Sequence, residues 1–318
     1  PAAGSPDDPP WWTGRWPESL AQMSHLQSLQ QATSRPQLRA CASAVVTRIE
    51  AGLGHEDECR HHARETIAAA SPLGIHQLTA WALSGLGLLD LGAGRHAEAA
   101  ESFDQVTAIA GHVPEPGFLG WHADAIEAYH GCGRTTEAHQ ALARLEAMAA
   151  ATERRWARAA AARSAALLGA DDEPDVRLTA ALDDFRALGA PFEEARTLLA
   201  RGEHRLREAR TSDGALDVAA ARTIFDHLGA RVWSDRASTI RGEVGRGRAS
   251  LASRLTPAEL RVALAVGQGV SNRVAADQLF ISAKTVDYHL QSIYRKLGLR
   301  SRTQLTVLVA SDQGAPAH

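Results

Sequence analysis

Residues 255–305 read LTPAELRVALAVGQGVSNRVAADQLFISAKTVDYHLQSIYRKLGLRSRTQL, and the punctuation of this stretch divides it into four short helices. Thr256-Pro257-Ala258-Glu259 places a hydroxyl at an N-cap, proline at the first helical position and a carboxylate that can cap back. Gly267 and Gly269 end that helix, because glycine takes a left-handed C-cap without a Cβ penalty. Ser271 caps a second helix over 272–279, and Phe280-Ile281-Ser282 forms a tight turn. Ser282 caps a third helix running to Gly298, and Ser301-Arg302-Thr303-Gln304 opens a last one to about Ala310. Two helices joined by a three-residue turn is the helix-turn-helix pattern.

The third helix sorts by face. Val286, Leu290, Ile293 and Leu297 recur at helical spacing as one apolar stripe. Lys284, Asp287, Tyr288, Gln291 and Arg295 fall opposite, a set that can hydrogen-bond bases and pair with phosphates in a major groove. Periodicity alone leaves two readings open, a DNA-reading face and an ordinary solvated face of a helical bundle.

Charge separates them. Residues 251–310 hold eight basic side chains against three acidic ones, a net of +5, in a chain of net −3. Both of the chain's lysines, Lys284 and Lys296, sit here. A basic module on an acidic body is the electrostatic footprint of phosphate binding.

The same residues resemble the LuxR-type (GerE-like) helix-turn-helix domain of bacterial transcription regulators. The landmarks are LTPAE at 255–259, G-x-S-N at 269–272, FIS-x-K-T-V at 280–286, His289, Ile293, RKLG at 295–298 and R-S-R at 300–302. The resemblance implies a helix-turn-helix unit from Asn272 to Gln291 that binds double-stranded DNA. Asp287, Tyr288 and Gln291 project from the first two turns of the third helix and are expected to read bases, with phosphate contacts from Lys284, Thr285, Arg295, Lys296 and Arg302. The resemblance also implies a homodimer on DNA, paired through the last helix, where Leu305, Val307, Leu308 and Val309 offer more apolar surface than one side needs. Two departures stand out. Val274-Ala275-Ala276 replaces the family's Glu-Ile-Ala, so no capping box closes on Ser271. Asp287 stands where the family often has lysine, and an aspartate reads cytosine N4 rather than a phosphate.

Upstream, hydrophobic content is 45% with aromatics at only 5%, and alanine and leucine dominate, which favours close-packed helices over sheets. Gly94-Arg95-x-x-Glu98-Ala99 recurs as Gly133-Arg134-x-x-Glu137-Ala138, a shift of 39. Phe185-x-x-Leu188-Gly189-Ala190 recurs as Phe225-x-x-Leu228-Gly229-Ala230, a shift of 40 that carries Arg196 onto Arg236. Two pairs at nearly one period predict a helical-hairpin solenoid, with glycine at the turn and alanine where helices approach. This part resembles the tetratricopeptide-like repeats of large LuxR-type (MalT-like) regulators.

The predicted fold is therefore all-α, a TPR-like helical-hairpin solenoid followed by a four-helix DNA-binding domain. Residues 1–16 are expected to be a disordered segment, 17–245 the repeat domain, 246–250 a linker, 251–312 the helix-turn-helix domain and 313–318 a disordered tail. The chain holds no G-x-x-x-x-G-K-[ST] and does not begin with methionine, and it reads as the C-terminal piece of a longer regulator. Three widely spaced cysteines suit a reducing cytoplasm, and no stretch is long and apolar enough to span a bilayer. The expected location is cytoplasmic, on the nucleoid.

Candidate chemistry is sparse. His55, Glu58, Cys59, His61 and His62 are the one metal-like cluster, without a second ligand pair to close a zinc site, so a solvated polar face is the stronger reading. No nucleophile elbow or paired-carboxylate motif occurs, and neither catalysis nor a cofactor is expected. Trp81, Trp121, Trp156 and Trp233 can line a concave effector face or fill gaps between alanine-rich helices, and filling is the better expectation for each. The reading reached is a bacterial transcription regulator whose C-terminal domain binds promoter DNA in the major groove and whose solenoid senses or transmits a signal, with a small molecule or a protein as candidate effector. The competing reading is a helical-repeat scaffold whose helix-turn-helix segment is an interaction module.

Overall fold

The computed structural model describes residues 13–33, 36–110, 120–152, 154–170, 173–208, 210–247, 251, 255–267, 269–297, 299, 301, 302, 304–306 and 309. All regular structure among them is helical, with no strand. The segments expected to be disordered, 1–12 and 313–318, lie outside them, as do 248–250 of the linker and Val307 and Leu308. The chain forms two compact units, one of Pro1–His204 with Leu216–Ser238, the other of Arg205–Ala215 with Thr239–His318.

The first unit is an array of helices: α1 Trp16–Thr33, α2 Pro36–Leu53, α3 Glu56–Ala70, α4 His76–Gly92, α5 His96–Ala110, α6 Trp121–Gly131, α7 Thr135–Thr152, α8 Arg155–Leu168 and α9 Pro174–Ala187. It also takes in the start of α10 Pro191–Arg207, the end of α11 Thr211–Leu228 and the start of α12 Arg231–Gly247. α2 packs on α3 and α4, α4 on α5 and α6, α6 on α7 and α8, and α8 on α9. Each hairpin's first helix thus touches its own partner and the first helix of the next hairpin, the connectivity of stacked helical hairpins.

The repeated motifs explain the turns. Gly94 and Gly133 take φ 74° and 80°, and the next residue's N–H reaches back across the helix end, Arg95 to the Asp90 carbonyl and Arg134 to the Tyr129 carbonyl, both 2.8 Å. These are Schellman closures, which an L side chain at the glycine would strain. Ala99 and Ala138, five residues after each glycine, are fully buried where helices approach. Two expectations change at the ends of this region. Residues 13–16 are ordered, with Trp16 opening α1 and buried against Gly52 and Phe192. The expected linker residues 246 and 247 are the last turn of α12.

The inner helices bury charge. Arg196 on α10 bonds Asp124 and Glu127 of α6, and Arg236 on α12 bonds the other oxygen of Glu127 at 2.6 Å. Arg48 of α2 adds a second partner to Asp124 at 3.0 Å, while Arg163 of α8 is clamped on Glu193. The shift that aligns Arg196 with Arg236 thus delivers both guanidiniums to one carboxylate. Burial alone would raise the Glu127 carboxyl, but Arg236 and Arg196 outweigh it and hold it well below the usual range. Trp233 packs beneath both arginines, 4.8 and 5.4 Å from its ring centre, and lies against Gly92 of α4. Trp121, Trp156 and Trp233 are all buried. Filling between the helices, the better expectation for each of these tryptophans, is what these three do.

The metal-like cluster divides. His55, Glu58 and His61 are exposed, but Cys59 is fully buried, its thiol donating to the Thr47 carbonyl, and burial pushes that thiol far up. His62 pairs with Glu50 at 2.8 Å. Among the described residues no group of side chains is placed to hold a metal ion, and no helix is long and apolar enough to cross a membrane.

Candidate nucleic-acid interface

The second unit contains α13 Pro257–Gly267, α14 Asn272–Leu279 and α15 Ala283–Leu297. Residues 302, 304–306 and 309 are also helical. The starts follow the sequence closely. Thr256 and Glu259 cap each other, the Thr256 N–H donating to the carboxylate at 2.8 Å and the Glu259 N–H to the Thr256 hydroxyl at 3.3 Å. The Ser271 hydroxyl accepts from Val274 N–H, and Ser282 accepts from Thr285 N–H at 3.1 Å. Val274 leaves the capping box at Ser271 open, as its side chain requires. The turn is made by Phe280 at φ 55°, with Ile281 N–H closing onto the Ala276 carbonyl.

Val286, Leu290, Ile293 and Leu297 are all buried, packing with Val262, Val266 and Ala275 in one core. Lys284, Asp287, Tyr288, Gln291 and Arg295 are exposed on α15, with Tyr288 at 71%. Eleven residues separate Lys284 from Arg295, about 16 Å along the axis at helical rise. Polar and cationic groups thus line the outer face of a helix whose inner face is fixed by an apolar stripe. Thr285 is half-buried, its hydroxyl 2.8 Å from that of Ser282.

Besides Thr285, three expected phosphate or base contacts have internal partners. Lys296 Nζ donates to Glu259 at 2.6 Å, and the same carboxylate accepts from Ser292 at 2.7 Å. The Lys296, Thr256 and Ser292 bonds hold the Glu259 carboxyl down at about 2. Arg302 donates to Asn272 Oδ1 at 2.6 Å and to the Val270 carbonyl. Asn272 in turn donates to Asp287. This chain, Arg302 to Asn272 to Asp287, ties the last helix, the start of α14 and α15 together. Sequence reading placed Asn272 at the motif boundary but gave it no such task. Arg273, exposed in the first turn of α14, was also passed over.

Leu305 and Val309 are 0% and 1% exposed and belong to the core of this same unit. That is a correction to their expected place on a dimer face: four residues apart, they share one side of the last helix, and that side closes the small core.

Residues 253–309 match the family described as GerE, bacterial regulatory proteins, luxR family. The C-terminal unit carries a luxR-family domain. Relatives agree. The chain is 39% identical over 97 residues to the putative HTH-type transcriptional regulator Mb0914c of Mycobacterium bovis, covering 27% of this chain and 11% of that protein. It is 43% identical over 61 residues to the nitrate/nitrite response regulator protein NarP of Escherichia coli, and 38% over 58 residues to the transcriptional regulatory protein ComA of Bacillus subtilis. Those matches cover 19% and 18% of this chain and 28% and 27% of the relatives. The chain thus spans about a tenth of the mycobacterial relative and under a third of the other two. A luxR-family helix-turn-helix is a DNA-binding module of transcription regulation.

Proposed function

We propose that the chain binds promoter DNA by laying α15 in the major groove, and that the helical array receives or transmits the signal that controls this binding. The observation that carries the reading is the two-faced α15, with a buried apolar stripe behind Lys284, Tyr288, Gln291 and Arg295. Tyr288 and Gln291 read base edges. Asp287 does so with one carboxylate oxygen already held by Asn272, which makes it a more directional acceptor for a cytosine amine. Lys284 and Arg295 grip phosphates at the two ends of the helix. Thr285, Lys296 and Arg302 join them only as far as their internal bonds allow.

Binding by a pair of domains on a pseudo-palindromic site remains the proposed assembly, with Val307 and Leu308 as its contact. Such a regulator works at the nucleoid. The test is a salt titration on the full chain. Affinity for a selected site should fall by orders of magnitude between about 50 and 200 mM salt. Gln291→Ala should cost about 1–3 kcal/mol and relax preference at one base pair, whereas Lys284→Gln should weaken all sequences and reduce the salt slope by about one. A salt-independent association with protein and none with DNA would favour the interaction-module reading, for which the exposed Phe280 is the supporting feature.

A further inference from the structure

A recess of about 160 Å³ lies between α5, α6 and α7 in the helical array, apart from the buried arginine cluster. The first turn of α6 forms part of its wall. There Trp121 and His122 are both buried, with rings stacked 4.0 Å apart and 23° from parallel. His122 is 7% exposed, and neither of its ring nitrogens has a hydrogen-bond partner. Burial holds the imidazole neutral, its pKa pushed down to about 4. The ring therefore offers one donor and one acceptor, not a charge, and a buried polar group left unsatisfied in a native protein calls for an explanation.

The other polar groups around the recess differ. Tyr129 donates to Asp104 at 2.9 Å, and Arg134 is bound to both Asp104 and Glu137. Those four side chains satisfy one another. On α7, Arg144 is exposed and shows no ion pair among the described residues. Thr107, whose hydroxyl is bound to the Phe103 carbonyl, and the Gln140 amide also line the recess, and the rest of its wall is carbon, from Trp121 and Ala141 among others.

We infer that this recess is a binding site for a small planar carboxylic acid, its ring against Trp121 and Ala141, a hydrogen bond to His122 and its carboxylate on Arg144. The inference rests on the proposal that the array receives a signal, and it names the class of molecule received. A largely carbon wall with Arg144 at one end and few unpaired polar groups suits an apolar ring bearing one anionic group better than a sugar, which needs hydrogen-bond partners around its whole edge. At roughly 10–15 Å³ of such space per water position, the recess suits a molecule of about ten non-hydrogen atoms and excludes a nucleotide.

The test is calorimetric titration of the full chain with benzoate, salicylate and pyridine-2-carboxylate, with benzamide as the uncharged control. At least one acid should bind more tightly than benzamide. Arg144→Gln should weaken the acid about tenfold, the worth of one charge-assisted hydrogen bond, and leave benzamide unchanged. His122→Phe, which keeps the stacked ring, should weaken both, and His122→Asn, which keeps a donor and an acceptor, should recover part of the loss. Binding by none of the three acids overturns the inference, as does acid binding that neither Arg144→Gln nor the His122 variants alter. DNA affinity on the same samples reads the signalling role separately. A bound acid that leaves DNA affinity unchanged removes that role and keeps the site, whereas failure to bind DNA under any condition removes the regulatory reading alone.

Discussion

The helical array and the C-terminal unit are both built from short helices around apolar cores, yet the array also buries a network of charges that the described residues of the C-terminal unit lack. The array hides Asp124, Arg163, Glu193 and Arg196 among its inner helices. In the C-terminal unit Glu259 is the one buried charged residue among those described, and an apolar stripe does the rest. An apolar stripe tolerates a small slide of one helix past another. A guanidinium held between two carboxylates does not, because removing either member leaves a desolvated charge. Single charged residues of the array are therefore expected to be acutely sensitive on top of its apolar core, whereas the C-terminal unit relies on apolar contacts.

The largest effect that tests this contrast is Arg196→Met. It leaves Asp124 with Arg48 alone and Glu127 with Arg236 alone, and should destabilise the array by about 3–5 kcal/mol. All seven tryptophans precede residue 239, so tryptophan fluorescence during urea unfolding follows the array without interference from the C-terminal unit. A loss below about 1 kcal/mol would mean that the charges are hydrated and that the contrast between the units fails.

Acid should separate the two units next. Glu127 and Glu193 have carboxyls that burial alone would raise, yet their arginine partners hold both below the usual range. Groups with depressed native pKa values stabilise the fold above the unfolded value, near 4.3, and that stability is lost as pH falls through the native value. The C-terminal unit has Glu259 in the same position, at about 2, but only that one buried carboxylate among its described residues. Between about pH 5 and pH 3 the tryptophan signal should therefore change before hydrogen-exchange protection of α15 is lost. The reverse order would show that Glu259 and its Lys296 bond hold the smaller unit more tightly than its core does.

Within the C-terminal unit the predicted sensitivity is to volume, not charge. A Cβ on Gly267 would collide with the Val309 side chain, both buried. Gly267→Ala should therefore cost about 1–3 kcal/mol by overpacking, seen as faster amide exchange in α13 and α15 with the tryptophan transition unmoved. An unchanged exchange pattern would mean the last helix yields freely, and that Val309 contributes little to this core.

How legible each unit was follows from the same contrast. The C-terminal helix starts were readable because each rests on local chemistry: Thr256 with Glu259, Ser271 before Val274, Ser282 before Thr285. The stripe Val286, Leu290, Ile293 and Leu297 was readable because a single period sets it. The turns at Gly94 and Gly133 were readable because a positive φ demands glycine. The arginine cluster was not, because Arg48, Asp124, Arg163, Glu193 and Arg236 come from five separate helices and no spacing in the chain announces their meeting. The tie from Arg302 through Asn272 to Asp287 was hidden for the same reason: three polar residues on separate helices look solvated until the helices pack. The last helix misled in the opposite direction, since an apolar excess looks the same whether it faces a partner or, as at Leu305 and Val309, its own core.

The smallest predicted effect concerns the turn itself. Phe280 sits at φ 55° and is 93% exposed, so its side chain contributes almost no burial within the chain while its backbone occupies the left-handed region. That conformation costs an L residue roughly 1–2 kcal/mol, which glycine avoids at some loss of unfolded-state restriction. Phe280→Gly should therefore stabilise the C-terminal unit slightly, by about 0.5–1 kcal/mol. If the phenyl ring serves only as a solvated cap, DNA affinity should stay within twofold of the parent. A more stable domain with much weaker DNA binding would give the strained turn a function, with Phe280 making a contact outside the chain that offsets its cost. A less stable domain would show instead that the ring packs in solution, and that the turn is held by side-chain contact and not by the Ile281 to Ala276 hydrogen bond alone.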